Sequence, residues 1–118
     1  FTLIELLVVL AIVATLLLLV SPRYTQQIEA SKEAALRDNL RVVRQVIDHF
    51  YSDKGRYPES LEELVELGYL RVLPMDPITE SSATWQLVDV PSGQKGTVYD
   101  LHSGSTKTSS SGEAYSEW

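Results

Sequence analysis

The sequence predicts an α+β chain in which one long N-terminal helix precedes two short strands. Three observations carry this reading. Residues 1–20 are apolar on every side of a helix. Residues 24–53 repeat apolar positions at helical spacing. Residues 83–90 and 97–102 alternate weakly and flank a polar, hairpin-like loop at 91–96.

The first element is defined by its lack of charge. From Phe1 to Val20 the only charged residue is Glu5, and the only other polar residues are Thr2 and Thr15. About twenty residues at 1.5 Å each span roughly 30 Å, the hydrocarbon thickness of a bilayer. A signal peptide would put a basic stretch before the run and small residues after it. Here every Lys and Arg lies at or beyond Arg23, and Val20, Ser21, Pro22 is a poor cleavage site. A plain single-span anchor explains the length but neither Glu5 nor a start at Phe1 without an initiator Met.

Glu5 is the informative residue of this run. A carboxylate among membrane-facing side chains costs a few kcal/mol unless it is paired. Within the chain the nearest positive group is the Phe1 amine, just over one helical turn away. The Phe1 amine of a second, axially shifted copy would neutralise Glu5 and set the register between subunits, as single buried polar residues do in coiled coils. A Glu5 that simply reaches water at the headgroups is the other reading. Pro22 lacks an N–H and clashes with the carbonyl four residues back, so a kink or a helix boundary is expected there.

The run FTLIELLVVLAIVATLLLLVSPRY resembles the mature N-terminus of the type IV pilin-like family, which comprises type IV pilins and the pseudopilins of type II secretion. Phe1, Thr2, Leu3, Glu5 and Pro22 match its pattern in place. The resemblance implies peptidase processing just before Phe1, N-methylation of Phe1, and docking and register roles for Phe1 and Glu5. It also implies assembly from the membrane into a helical filament, with helicity lost near Pro22.

After Pro22 the composition changes, and the expected division is a hydrophobic helix at 1–22 and a domain at 23–118. Residues 24–53 read as an amphipathic helix with Ile28, Leu36, Leu40, Val43, Ile47 and Phe50 on its buried face. Glu33 and Arg37 stand four apart in the favourable order. Gly55 is the expected C-cap. Tyr57 and Pro58 lead into a short helix at 60–67, where Ser60 and Glu63 fit a capping box and Gly68 stops the helix. Leu61, Leu64 and Val65 are its apolar face. Pro74, Asp76 and Pro77 make a rigid turn. Beyond Ser103 the Ser-rich stretch reads as a mobile or loosely docked C-terminal loop, whose final aromatics, Tyr115 and Trp118, can pin it back.

This order of elements resembles the major, G-type pseudopilin of type II secretion. The matching segments are DKGRYPESLEELVE, GYLRVLPMDP and GTVYDLHSGS. The resemblance implies a long helix packed on a small antiparallel sheet. It implies a homopolymeric filament served by a prepilin peptidase, an inner-membrane assembly platform and minor pseudopilins. It also places the chain in the bacterial inner membrane with a periplasmic domain, or in an extracellular fibre. Members typically bind calcium through the C-terminal loop, which takes several oxygen ligands. The candidates here are Asp100, Glu113 and Glu117, in a region that is Ser-rich where acids would be expected.

Composition narrows the alternatives. The 118 residues include 16 acids against 10 bases, a net charge of −6. Such a surface repels nucleic acid. The absence of cysteine excludes disulfides, thiolate metal sites and Cys nucleophiles. His49 reads as an exposed or half-buried helix residue and His102 as a strand end. No nucleotide, metalloprotease or serine-hydrolase motif is present, so no enzymatic activity is expected. The expected function is a filament subunit, most like the major pseudopilin. A type IV pilus subunit is the first alternative, and a single-span anchored binding domain the second. Polymerisation would draw its energy from a separate ATPase.

Overall fold

The computed structural model describes residues 2–19 and 26–118. Phe1 and Pro22, the sites expected for N-methylation and for a helix kink, lie outside the described residues. The chain divides into two compact units, Phe1–Ser31 and Lys32–Trp118. Its elements are α1 (Leu3–Lys54), α2 (Leu61–Glu66), β1 (Gln86–Asp89), β2 (Val98–His102) and a closing 3₁₀ turn at Tyr115–Glu117. The class is therefore α+β, with a two-stranded antiparallel sheet.

In the first unit the described helix is apolar and uncovered from Leu3 to Leu19. Leu3 and Leu18 are each 74 % exposed, and the other large apolar side chains between them are also exposed. Thr15 donates its hydroxyl to the Ala11 carbonyl at 2.8 Å, so this polar group is satisfied within the helix. Among the described residues no helix is long and apolar enough to cross a membrane. The described part of the apolar run ends at residue 19, short of the roughly twenty residues that a bilayer requires.

The second unit holds the core. Leu36, Leu40, Val43, Ile47 and Phe50 of α1 recur at spacings of three and four and are all buried. Leu61 and Leu64 of α2, Leu70, Trp85, Val98 and Leu101 of β2, and Tyr115 complete the cluster. Phe50, fully buried, contributes on the order of 2–3 kcal/mol by leaving water. Ile28, expected on the same face, is 39 % exposed and stands in the first unit. The core face thus opens at Leu36, where the domain begins to cover the helix.

Local signals act much as the sequence predicts. Gly55 ends α1 at φ 70°, a conformation that a side chain would strain, and its N–H donates to the Tyr51 carbonyl. Ser60 caps α2 by accepting from the Glu63 N–H at 3.2 Å. The capping box is only half formed, because the Glu63 carboxylate turns to Arg56 Nη1 at 2.9 Å and to the Glu59 amide at 3.4 Å.

The strands are shorter than expected, and Trp85 precedes β1 rather than lying in it. Its ring is buried and its Nε1 donates to the Pro74 carbonyl at 2.8 Å. β1 and β2 pair through Leu87–Leu101 and Val88–Asp100, then slip so that Asp89 faces Val98. The bulge leaves Tyr99 as the extra residue. Val98 and Leu101 are three apart and would face opposite sides of a regular strand; the bulge brings both into the core.

Candidate functional site

The first candidate site is the start of α1. The Thr2 N–H donates to Glu5 Oε2 at 3.1 Å, and the Glu5 N–H donates to Thr2 Oγ1 at 3.1 Å. This is a capping box, in which two free donors of a helix N-terminus are satisfied reciprocally. The Leu6 N–H then closes the first turn on the Thr2 carbonyl at 3.2 Å. Glu5 therefore has a neutral partner within its own chain, besides the Phe1 amine considered from the sequence. The T-x-x-E spacing at residues 2–5 is the signal that identifies it, and it is the same signal as Ser60 to Glu63. Glu5 also borders a shallow groove of about 580 Å³, lined by Ile4, Leu6, Val8 and Val9. The carboxylate is thus one polar group at the edge of an otherwise oily surface.

The second candidate is the C-terminal loop, where the resemblance implies calcium. The structure commits Asp100 elsewhere. Its Oδ1 accepts from Arg44 Nε at 2.7 Å and from the Leu101 N–H at 2.7 Å. A cation there would have to displace a guanidinium. Glu113 borders a cleft of about 480 Å³ shared with Arg37, Arg41, Arg44 and Trp118. Glu117 is exposed in the 3₁₀ turn. Among the described residues no group of three or more His, Cys, Asp or Glu is placed to hold a metal ion. The residues present do not fit calcium, which needs several oxygens around one point.

Expected to be loose, this loop is tied by hydrogen bonds instead. Asp76 is fully buried. Its Oδ2 accepts from the Ser103 hydroxyl at 2.6 Å and the Gly104 N–H at 3.3 Å, and its Oδ1 accepts from the Ile78 N–H at 2.9 Å. The Ser105 N–H donates to Ser103 Oγ, and the Lys107 N–H to Ser105 Oγ. Further on, Glu33 of α1 accepts from the Ser110 N–H at 2.8 Å, the Ser110 hydroxyl at 3.0 Å and the Tyr115 hydroxyl at 2.9 Å. Sequence reasoning missed both anchors. Asp76 reads as a turn residue, and Glu33 as half of a surface pair with Arg37. Arg37 instead stacks over the Trp118 ring, 4.3 Å from its centroid.

The two histidines lie on α1 and at the end of β2. His49 is exposed and lies 3.6 Å from Asp53. His102 pairs with Gln86 across the strands. The cleft at Arg37, Arg41 and Arg44 is completed by Leu40, Gln45, Asp48, Glu113 and Trp118, so it carries three guanidinium groups and two carboxylates. No protein-family model matches the chain, and no curated protein or solved structure is significantly similar to it.

Proposed function

We propose that the chain is a structural subunit of a helical pilus-like filament, most like the major pseudopilin of a type II secretion system. The observation that carries this reading is the described helix from Leu3 to Leu19, which exposes apolar side chains all round with one acid, Glu5, at its end. A helix apolar on every side needs lipid or other helices around it. Packing copies of it against one another buries that surface, and the second unit has its own core and needs no help from the helix start. Phe1 and Glu5 of successive copies would neutralise each other and set the axial rise. Before assembly the apolar run would sit in the inner membrane with the domain in the periplasm. The small sheet and the absence of cysteine favour a pseudopilin over a type IV pilus subunit.

A second reading has its own support. The Thr2–Glu5 capping box satisfies Glu5 within one chain, as a monomeric, membrane-anchored binding domain would require. Glu5→Ala separates the two. The filament reading expects this variant to remain in the membrane at normal level while sheared fractions lose their fibres under electron microscopy. Absence of fibres from wild type and variant alike would end the filament reading in favour of the anchor, and fibres at wild-type abundance from Glu5→Ala would deny Glu5 its register role.

A further inference from the structure

Four residues of α1 spaced by four, three and four share one face: Glu33, Arg37, Leu40 and Arg44. Three of them grip the C-terminal segment directly. Arg44 Nη2 donates to the Trp118 carbonyl at 2.6 Å, and Arg37 lies over the Trp118 ring. Glu33 uses both carboxylate oxygens, on donors from two separate points of the segment. Ser110 is at the tip of a turn closed by Ser109 N–H to the Glu113 carbonyl and Gly112 N–H to the Ser109 carbonyl. Tyr115 is at its base, where its N–H reaches the Lys107 carbonyl.

The chemistry of this tie is complementary to that of a metal. A cation knits a loop by collecting oxygen acceptors. This loop is rich in Ser, and it presents an amide and two hydroxyl donors to a common point, where the group that accepts them is an anion, Glu33. We propose that Glu33 is a carboxylate latch that holds the segment Lys107–Trp118 on α1 while it is charged and releases it when neutralised, taking the place of a bound cation. Release would uncover the Arg37–Arg44 face and take Tyr115 out of the core cluster, whose other buried members all lie outside the segment.

The electrostatics agree in sign. The Ser110 amide, opposed in part by burial and aided by the Tyr115 and Ser110 hydroxyls and by Arg37, holds the Glu33 carboxyl below the ordinary glutamate range. Arg37 on its own helix and Tyr115 across the contact are the titratable groups that act on it. The neighbouring Lys32 is directed to Glu80 at 3.8 Å. A carboxyl lowered in the docked state favours docking above its free value, and that preference is lost as pH falls through the docked value.

The test uses the full chain in detergent micelles, with amide exchange corrected for intrinsic rates and read at residues 107–118. At neutral pH, protection should be the same in excess calcium and in excess EDTA. Glu33→Gln should raise exchange there about tenfold, since charge-assisted bonds are roughly twice as strong as neutral ones, and leave α1 amides at 36–50 unchanged. The Ser110 amide resonance of the unmodified protein should shift with a midpoint below the ordinary glutamate value, a readout that does not depend on a variant folding. Wild-type protection in Glu33→Gln, loss of protection in EDTA, added protection in calcium, or a Ser110 amide insensitive to acid would each overturn the latch.

Discussion

The hydroxyl of Ser103 meets the fully buried carboxylate of Asp76 at 2.6 Å, joining the turn after α2 to the end of β2. Three donors converge on this carboxylate, and no basic side chain is among them. Asp76→Ala would leave the Ser103 hydroxyl and the Gly104 and Ile78 amides without their acceptor. The expected cost is about 2–4 kcal/mol, at 1–3 kcal/mol for each unsatisfied buried group with partial relaxation. Urea unfolding measures it, and a midpoint equal to wild type would show that the carboxylate does not organise the turn.

Gly104 follows directly. A Cβ placed there would stand 1.9 Å from the Thr84 carbonyl oxygen. The backbone must separate to admit a methyl group, so Gly104→Ala should destabilise the domain by about 2 kcal/mol or more. A thermal melt of the variant checks it; retention of the wild-type midpoint would mean that the strand ends part freely.

At the helix start, Thr2→Val removes the hydroxyl that accepts from Glu5 and keeps the amide that donates to it. Loss of a cap side chain costs about 1 kcal/mol. Exchange at residues 3–6 in micelles should quicken by about fivefold on that basis, whereas Thr2→Ser should behave as wild type. Equal exchange in Thr2→Val and wild type would deny the cap any energetic role.

Arg56 and Glu63 give a pH dependence of known sign. The Arg56 guanidinium, hydrogen-bonded at 2.9 Å, lowers the Glu63 carboxyl below its ordinary range, with burial opposing and the Glu59 amide assisting. A group depressed in the folded state stabilises it fully above the unfolded value, about 4.3, and loses that contribution as pH falls through the folded value. Glu63→Gln should therefore flatten the acid limb of the stability curve and leave the slope above neutrality unchanged. A variant whose acid limb is as steep as that of wild type would refute the linkage.

Much of the fold was legible because it follows from periodicity. The α1 face at Leu36, Leu40, Val43, Ile47 and Phe50, the cap at Ser60 and the stop at Gly55 depend on residues within a few positions of each other. The strands were located but not bounded, since a bulge at Tyr99 shifts register and period-two alternation alone cannot reveal it. The C-terminal loop was misjudged. A Ser-rich composition reads as solvated chain, and its order comes from Glu33 and Asp76, 77 and 27 residues away from the serines they hold.

By itself the sequence determined the apolar helix, the lone acid at residue 5 and the amphipathic face that follows, because each is a property of side chains spaced along one helix. Only the tertiary structure decided which carboxylates are spent inside the domain. Asp100 goes to Arg44, Asp76 to Ser103 and Glu33 to Ser110 and Tyr115. The physical reason is that a hydrogen bond is decided by proximity in space, and the donors these acids chose lie far along the chain, brought near by the burial of the core between them.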